Sequence, residues 1–385
     1  MDTPAATIEL IRRIHASPPR VVLAVTGGGS RAFAKLLAVP GASQTVLEAI
    51  VPYCPASLTE FLSGRPEQFC SSATARAMAM AAYRRALKYR DAGGDDEGGR
   101  QVLGLGLTAS LASDRPKRGP HRLHWAAQSA CRTWSYSLQL TKGARTRDAE
   151  EDVAAAVLID LLAEACGIAE RPPIGLSPDE TIERRRTDAL TSWVELFAGR
   201  IARTCERPAF PGCDGEPRAI FPGSFRPLHD GHRRMAEIAA RKLGCPVDFE
   251  LSIENVEKPP LDFDEMQTRG GQFAPATRIW YTRAPRMVQK ATLFPGATIV
   301  CGLDTLLRVA DARFADDSDA ERERIVAEIT RLGCRFLVFG RAVDGKFQTL
   351  DDVTIPESLR RISMGVPEAE FRDDVSSTEL RKYQS

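Results

Sequence analysis

The segment Gly223-Ser224-Phe225-Arg226-Pro227-Leu228-His229-Asp230-Gly231-His232 gathers the residue types that a polyphosphate site needs. A glycine at the end of an apolar strand lets backbone N–H groups approach a phosphate that a bulky side chain would hold away. His229 and His232, at i and i+3 where a helix begins, lie on one face of its first turn. The positive end of the helix dipole points the same way. Gly223, Ser224, Phe225 and Gly231 are therefore expected to line a nucleotide, with the two imidazoles on its phosphates. Taken alone, the same residues also fit a capping turn with surface histidines.

A second group stands near the end of the chain, in Val375-Ser376-Ser377-Thr378-Glu379-Leu380-Arg381. Ser377 and Thr378 are good helix N-cap residues, and Arg381 projects from the same turn as Thr378. Hydroxyls, backbone N–H groups and a guanidinium can then converge on one anion. By itself this is an ordinary cap; its position late in a strand–helix series that opens with the first motif makes it a second phosphate site.

That series predicts the scaffold. From Arg218 the chain alternates apolar runs of strand length (219–221, 246–253, 277–281, 297–301 and 335–339) with helices, the first over 231–243. Such alternation means a parallel sheet covered on both faces, with ligands beyond the carboxyl ends of its strands. The first half is also α/β. Ile8, Ile11 and Ile14 mark a helix, Val21–Val25 a buried strand ending in Thr26-Gly27-Gly28-Gly29-Ser30, and 101–107 and 121–126 two more strands. Helices are expected at 44–51, 72–90 and 149–166, and the glycine-rich tract 91–99 as a loop. The proline-punctuated stretch between the halves gives three regions: a domain over 1–168, a linker with one helix over 169–217, and a second domain over 218–385.

The paired motifs Gly-Ser-Phe-x-Pro-x-His-x-Gly-His and Ser-Ser-Thr-x-x-Arg resemble those of the nucleotidylyltransferase superfamily, which includes nicotinamide mononucleotide adenylyltransferases, phosphopantetheine adenylyltransferases and cytidylyltransferases. The resemblance covers residues 219–385 and implies a Rossmann-like fold. It implies that His229 and His232 contact NTP phosphates and that Ser377, Thr378 and Arg381 hold the β- and γ-phosphates. Many members carry aspartate where this chain has Arg226, which makes the loop more basic here. No protein nucleophile is required. An acceptor phosphate oxygen attacks the α-phosphorus in line while pyrophosphate leaves, with charge neutralised by His229, His232, Arg381 and Mg²⁺. The metal is expected on phosphate oxygens and waters, since the sequence offers no dedicated carboxylate cage.

Histidine rather than threonine at 229 leans the acceptor toward nicotinamide mononucleotide or its deamidated form, and so toward NAD biosynthesis. Gly302-Leu303-Asp304-Thr305 resembles a segment of those enzymes; Asp304 either accepts hydrogen bonds from substrate or caps the next helix. Lys258 falls in a loop where the family places a lysine near substrate, although solvated charge is the default there. Trp280 either stacks on a pyridine ring or belongs to the core.

Residues 21–125 resemble the CinA C-terminal family, which includes nicotinamide mononucleotide deamidases. The resemblance rests on Thr26-Gly27-Gly28, Pro40-Gly41-Ala42-Ser43 and the helix over 72–86. Ala24 stands where that family has its serine nucleophile, and Tyr53–Leu58 lacks the family's lysine, so amide hydrolysis by that route is not expected. The domain either binds a nucleotide through Thr26–Ser30 or serves as an assembly module, for instance for a homo-oligomer; the second is favoured.

Composition excludes several classes. A formal net charge of +1 gives no bulk attraction to nucleic acid or membranes. Nine scattered cysteines (54, 70, 131, 166, 205, 213, 245, 301, 334) without a C-x-x-C pair indicate neither a zinc site nor a disulfide framework. No signal segment or membrane-length apolar run is present, and a cytoplasmic protein is expected. Two alternatives stand beside adenylyl transfer from ATP to a mononucleotide: a cytidylyltransferase acting on a small phosphorylated metabolite, and a non-catalytic nucleotide sensor.

Overall fold

Fifteen strands occur among the described residues, which in this computed structural model are 4–92, 101–114, 118–206, 215–255, 259–314, 318–343 and 346–372. The chain divides into two compact units, one of residues 1–194 with 257–265 and one of 195–256 with 266–385. It therefore passes from one unit to the other at 194/195, 256/257 and 265/266.

The first unit is built on a six-stranded sheet. Its strands are β1 (Arg20–Thr26), β2 (Val46–Ile50), β3 (Val102–Ser110), β4 (His121–Gln128), β5 (Arg132–Leu140) and β6 (Glu183–Asp188), in the order β2-β1-β3-β4-β5-β6. The pairs β2/β1 and β1/β3 are parallel, and β3 to β6 form an antiparallel meander. The run Val-Leu-Gly-Leu-Gly-Leu in β3 explains its own packing. Leu103, Leu105 and Leu107 join the large core with the helix Arg147–Ala165. A Cβ on Gly104 would stand 2.1 Å from Tyr83 N, and one on Gly106 2.5 Å from Ala75 O. The helix Ser72–Ala92 thus lies with its backbone directly on the strand, which its alanines at 75, 79, 82 and 86 also permit. Alanine's high helix propensity and small size serve the same contact.

The second unit is the doubly wound half. Its sheet contains β7 (Arg203–Cys205), β8 (Ala219–Pro222), β9 (Asp248–Ser252), β10 (Ile279–Thr282), β11 (Thr298–Gly302), β12 (Arg335–Phe339) and β15 (Ser363–Val366), in the order β15-β12-β11-β8-β9-β10-β7. All pairings are parallel except that of β7 with β10. A small antiparallel pair, β13 (Arg341–Val343) and β14 (Lys346–Gln348), stands apart. Without β7 the order is that of the Rossmann sheet, and the direction of winding reverses between β8 and β11. The α/β class with two sheets, one of them parallel and Rossmann-like, is as expected.

Several details differ from the sequence reading. Of residues 44–51, expected to be helical, Val46–Ile50 form β2 instead. Val46 and Ile50 are β-branched, the run is short, and four pairs with β1 outweigh any local helical preference. β5, an unexpected strand, alternates buried Trp134, Tyr136, Leu138 and Leu140 with polar residues, of which Thr133 and Ser135 are buried as well. The stretch 169–217 contributes β6 to the first sheet, the helix Thr191–Phe197 and β7 to the second sheet. Of the glycine-rich tract 91–99, residues 93–99 lie outside the described part. No described helix is long and apolar enough to cross a membrane.

Candidate functional site

β8 is the central strand of the second sheet, and the loop leaving its carboxyl end stands at the reversal of strand order. Open α/β sheets bind ligands at that place. The loop is fixed by its own residues. Phe225, with a backbone φ of +43° and 1% exposure, turns its ring inward. There it makes edge contacts with Phe221, Phe249 and Phe273 at centroid distances of 5.3–5.6 Å. A Cβ at Gly223 would stand 2.5 Å from that ring. The Gly223 N–H donates to the Glu250 carbonyl at 3.0 Å. The glycine here makes room for the Phe225 ring. Ser224 is exposed, and its carbonyl accepts a hydrogen bond from Arg269 Nη1 at 2.9 Å.

The two histidines come together. His229 is the N-cap of the helix Asp230–Leu243, Gly231 is buried in the first turn, and His232 is the third helical residue. The rings stack with centroids 3.7 Å apart and planes 31° from parallel. The His229 backbone N–H donates to His232 Nδ1 at 3.3 Å, the position an acidic or amide side chain takes in a capping box. A nitrogen that accepts carries no proton, so neutral His232 has its hydrogen on Nε2. Burial, reinforced by His229 and Arg233, pushes the His232 pKa down to about 3. His232 is therefore a neutral donor at physiological pH and not the cation that charge neutralisation would call for. Arg233 beside it pairs with Asp230 at 3.1 Å.

Asp304 lies in the first turn of the helix Leu303–Ala310, directly after β11, which neighbours β8. It forms an ion pair with Arg341, the first residue of β13, which Gly340 alone separates from β12. Both therefore stand at carboxyl ends of strands. Trp280 donates to Asp248 Oδ2 at 2.8 Å and packs edge-on against Phe294, with Arg203 over its face. It is partly buried and packs against the core of the second unit. Beneath the site, Glu250 is fully buried and accepts two hydrogen bonds from Lys290 Nζ, at 2.9 and 2.7 Å, and one from Thr282 at 2.5 Å. Ser377, Thr378, Arg381 and Lys258 lie outside the described residues. Among the described residues no three His, Cys, Asp or Glu side chains cluster as a metal site would require.

In the first unit, Ala24 is completely buried within β1. The glycine turn after that strand leads to the helix Arg31–Ala38, whose N-terminus is already met by a carboxylate. Glu151 accepts from Ser30 Oγ at 3.1 Å and from the Arg31 N–H at 3.2 Å. A protein anion thus takes the place in which a bound phosphate would sit. Nearby, buried Glu150 accepts from the Ala112 N–H and bonds His121 Nδ1, both at 2.6 Å.

No family model and no curated protein matches the sequence. Solved structures to which the chain is similar include the competence/damage-inducible protein CihA from Agrobacterium tumefaciens, at 17% identity and a TM-score of 0.31, covering 44% of this chain and 100% of that one. Another is a competence-damaged protein (CinA) superfamily member from Escherichia coli, at 15% identity and a TM-score of 0.28, covering 44% and 93%. A third is the competence damage-inducible protein A from Klebsiella pneumoniae, at 17% identity and 0.28, covering 43% and 99%. Likenesses with TM-scores this low bear on neither fold nor chemistry, and the two-sheet architecture stands on the strand pairing itself.

Proposed function

We propose that the second unit transfers a nucleoside monophosphate from an NTP, ATP by preference, to a phosphate-bearing acceptor, nicotinamide mononucleotide or its deamidated form. The observation that carries this reading is the stacked His229–His232 pair at a helix N-terminus, at the strand-order reversal of a Rossmann sheet. His232 Nε2–H and the helix N-terminus supply donors to the phosphates. An oxygen of the acceptor phosphate forms the new bond to the α-phosphorus as the bond to the bridging oxygen breaks, and pyrophosphate leaves with that electron pair. Ser377, Thr378 and Arg381 are assigned to the β- and γ-phosphates on their motif, and Lys258 and Asp304 to the acceptor. Mg²⁺ would arrive on the triphosphate, held by phosphate oxygens and water, and would offset their charge.

The first unit is read as a CinA C-terminal-like domain without deamidase chemistry, because position 24 presents no nucleophile and Glu151 fills the glycine-turn anion position. An assembly role remains its assignment. Pyrophosphate release from ATP in the presence of a mononucleotide tests the transfer reading. Loss of that release in His232→Ala is the expected result, and an undiminished variant would sink it.

A further inference from the structure

Two residues more than thirty positions downstream of the histidines hold the loop that carries them. Gln272 bonds the loop on either side of Arg226–Pro227. Its Nε2 donates to the Phe225 carbonyl at 2.9 Å, and its Oε1 accepts from the Leu228 N–H at 2.8 Å. The same Nε2 reaches the Arg269 carbonyl at 3.3 Å. Buried Arg269 in turn donates to the Ser224 carbonyl at 2.9 Å. Three of the five residues between Gly223 and His229 are thereby tied by their backbone to one short segment at the C-terminal end of the helix Phe263–Gly270, Arg269 within its last turn and Gln272 just beyond it. Leu228 immediately precedes the N-cap histidine, so its placement sets where the imidazole pair begins.

We propose that Gln272, seconded by Arg269, is a positioning residue for the transfer reaction: it holds Phe225 to Leu228 so that His229 and His232 face the phosphates. The inference rests on the proposed transfer activity for its kinetic consequence, but not for its structural one. A primary amide suits this place because it donates and accepts at once. Glutamate would keep the acceptor for Leu228 and put an oxygen against the Phe225 carbonyl. Alanine would remove both bonds and leave a buried N–H to find water. Positioning contacts of this kind lie far from the chemistry yet affect it strongly, since displacing a reacting group by about 1 Å costs on the order of 100-fold in rate.

The test uses the full chain as wild type, Gln272→Ala and Gln272→Glu. Amide hydrogen exchange is followed at Leu228 and, as a reference for global stability, at Ile220 and Ile299 in the central strands. In parallel, pyrophosphate release from ATP and nicotinamide mononucleotide gives kcat and KM per ATP-binding site. Gln272→Ala should speed exchange at Leu228 by about tenfold or more while the reference amides are unmoved, because a local bond of this kind is worth about one such factor. It should lower kcat by about 10- to 100-fold with KM for ATP within about twofold. Gln272→Glu should fall between. Unchanged Leu228 exchange, or faster exchange with unchanged kcat, overturns the proposal. If wild type releases no pyrophosphate, the transfer reading fails, and the Leu228 exchange still decides whether the brace exists.

Discussion

Acidification should weaken the second unit through His232, by an amount its surroundings set. Burial and two neighbouring bases hold the imidazole at about 3, against an ordinary value of 6.5. Between these values the unfolded chain binds a proton that the folded chain refuses, so stability falls as pH falls through that window. Below it both states are protonated and no further loss comes from this group. Each pH unit inside the window is worth up to about 1.4 kcal/mol, so passing from about pH 7 to about pH 5 should cost about 2 kcal/mol at His232 alone. His232→Gln removes the titration and keeps a polar side chain. Urea unfolding of both proteins across this range should show the wild type losing about 2 kcal/mol more than the variant. His124, which burial and Arg122 push down to about 4, is present in both and cancels from the comparison. Equal pH dependence in the two proteins would refute the reasoning, because His232 would then titrate as it does in the unfolded chain.

Further outcomes follow from the same contacts. Lys290→Met strands the buried Glu250 carboxylate and should cost about 3–5 kcal/mol in urea unfolding, most of it recovered in Lys290→Met with Glu250→Gln; a neutral single variant would contradict the pairing. Gly223→Ala forces a methyl against the Phe225 ring and should cost about 1–3 kcal/mol while lowering pyrophosphate release. In the first unit, Arg76 holds Asp262, Asp264 and Glu265 at 3.0, 3.5 and 3.1 Å, all largely buried. Arg76→Met should destabilise that unit by about 3 kcal/mol or more. It should also change the fluorescence of Trp193, which stacks on Phe263 at 6.2 Å, and an unaltered spectrum would count against it.

The sheet of the second unit was largely legible because parallel strands buried on both faces tend to be continuous apolar runs, as in β8, β10, β11 and β12; β9, Asp-Phe-Glu-Leu-Ser, departs from this with a buried Glu250 that Lys290 neutralises. β6 was not, since Glu-Arg-Arg-Arg-Thr-Asp has no apolar face; it pairs with β5 at the sheet edge and is held further by ion pairs of Arg185 with Asp264 and of Arg186 with Glu164. β7 is three residues long and carries no period at all. The histidine pair was legible because two histidines at i and i+3 where a helix begins must share its first turn. Its support was not. Arg269 and Gln272 act on backbone atoms of a distant loop, and neither spacing nor composition marks a side chain whose partner is a carbonyl. The misplaced helix over 44–51 shows the converse, a short ambiguous run whose state is decided by the strand beside it.

The central claim is that the second unit moves a nucleoside monophosphate. Pyrophosphate release by the full chain, measured with ATP or CTP and a panel of phosphate-bearing acceptors, tests it most directly. The account predicts release with ATP and a nicotinamide or nicotinic acid mononucleotide, reduced by about 100-fold or more in His232→Ala. ATP binding without release against any acceptor, or full activity in that variant, would contradict it.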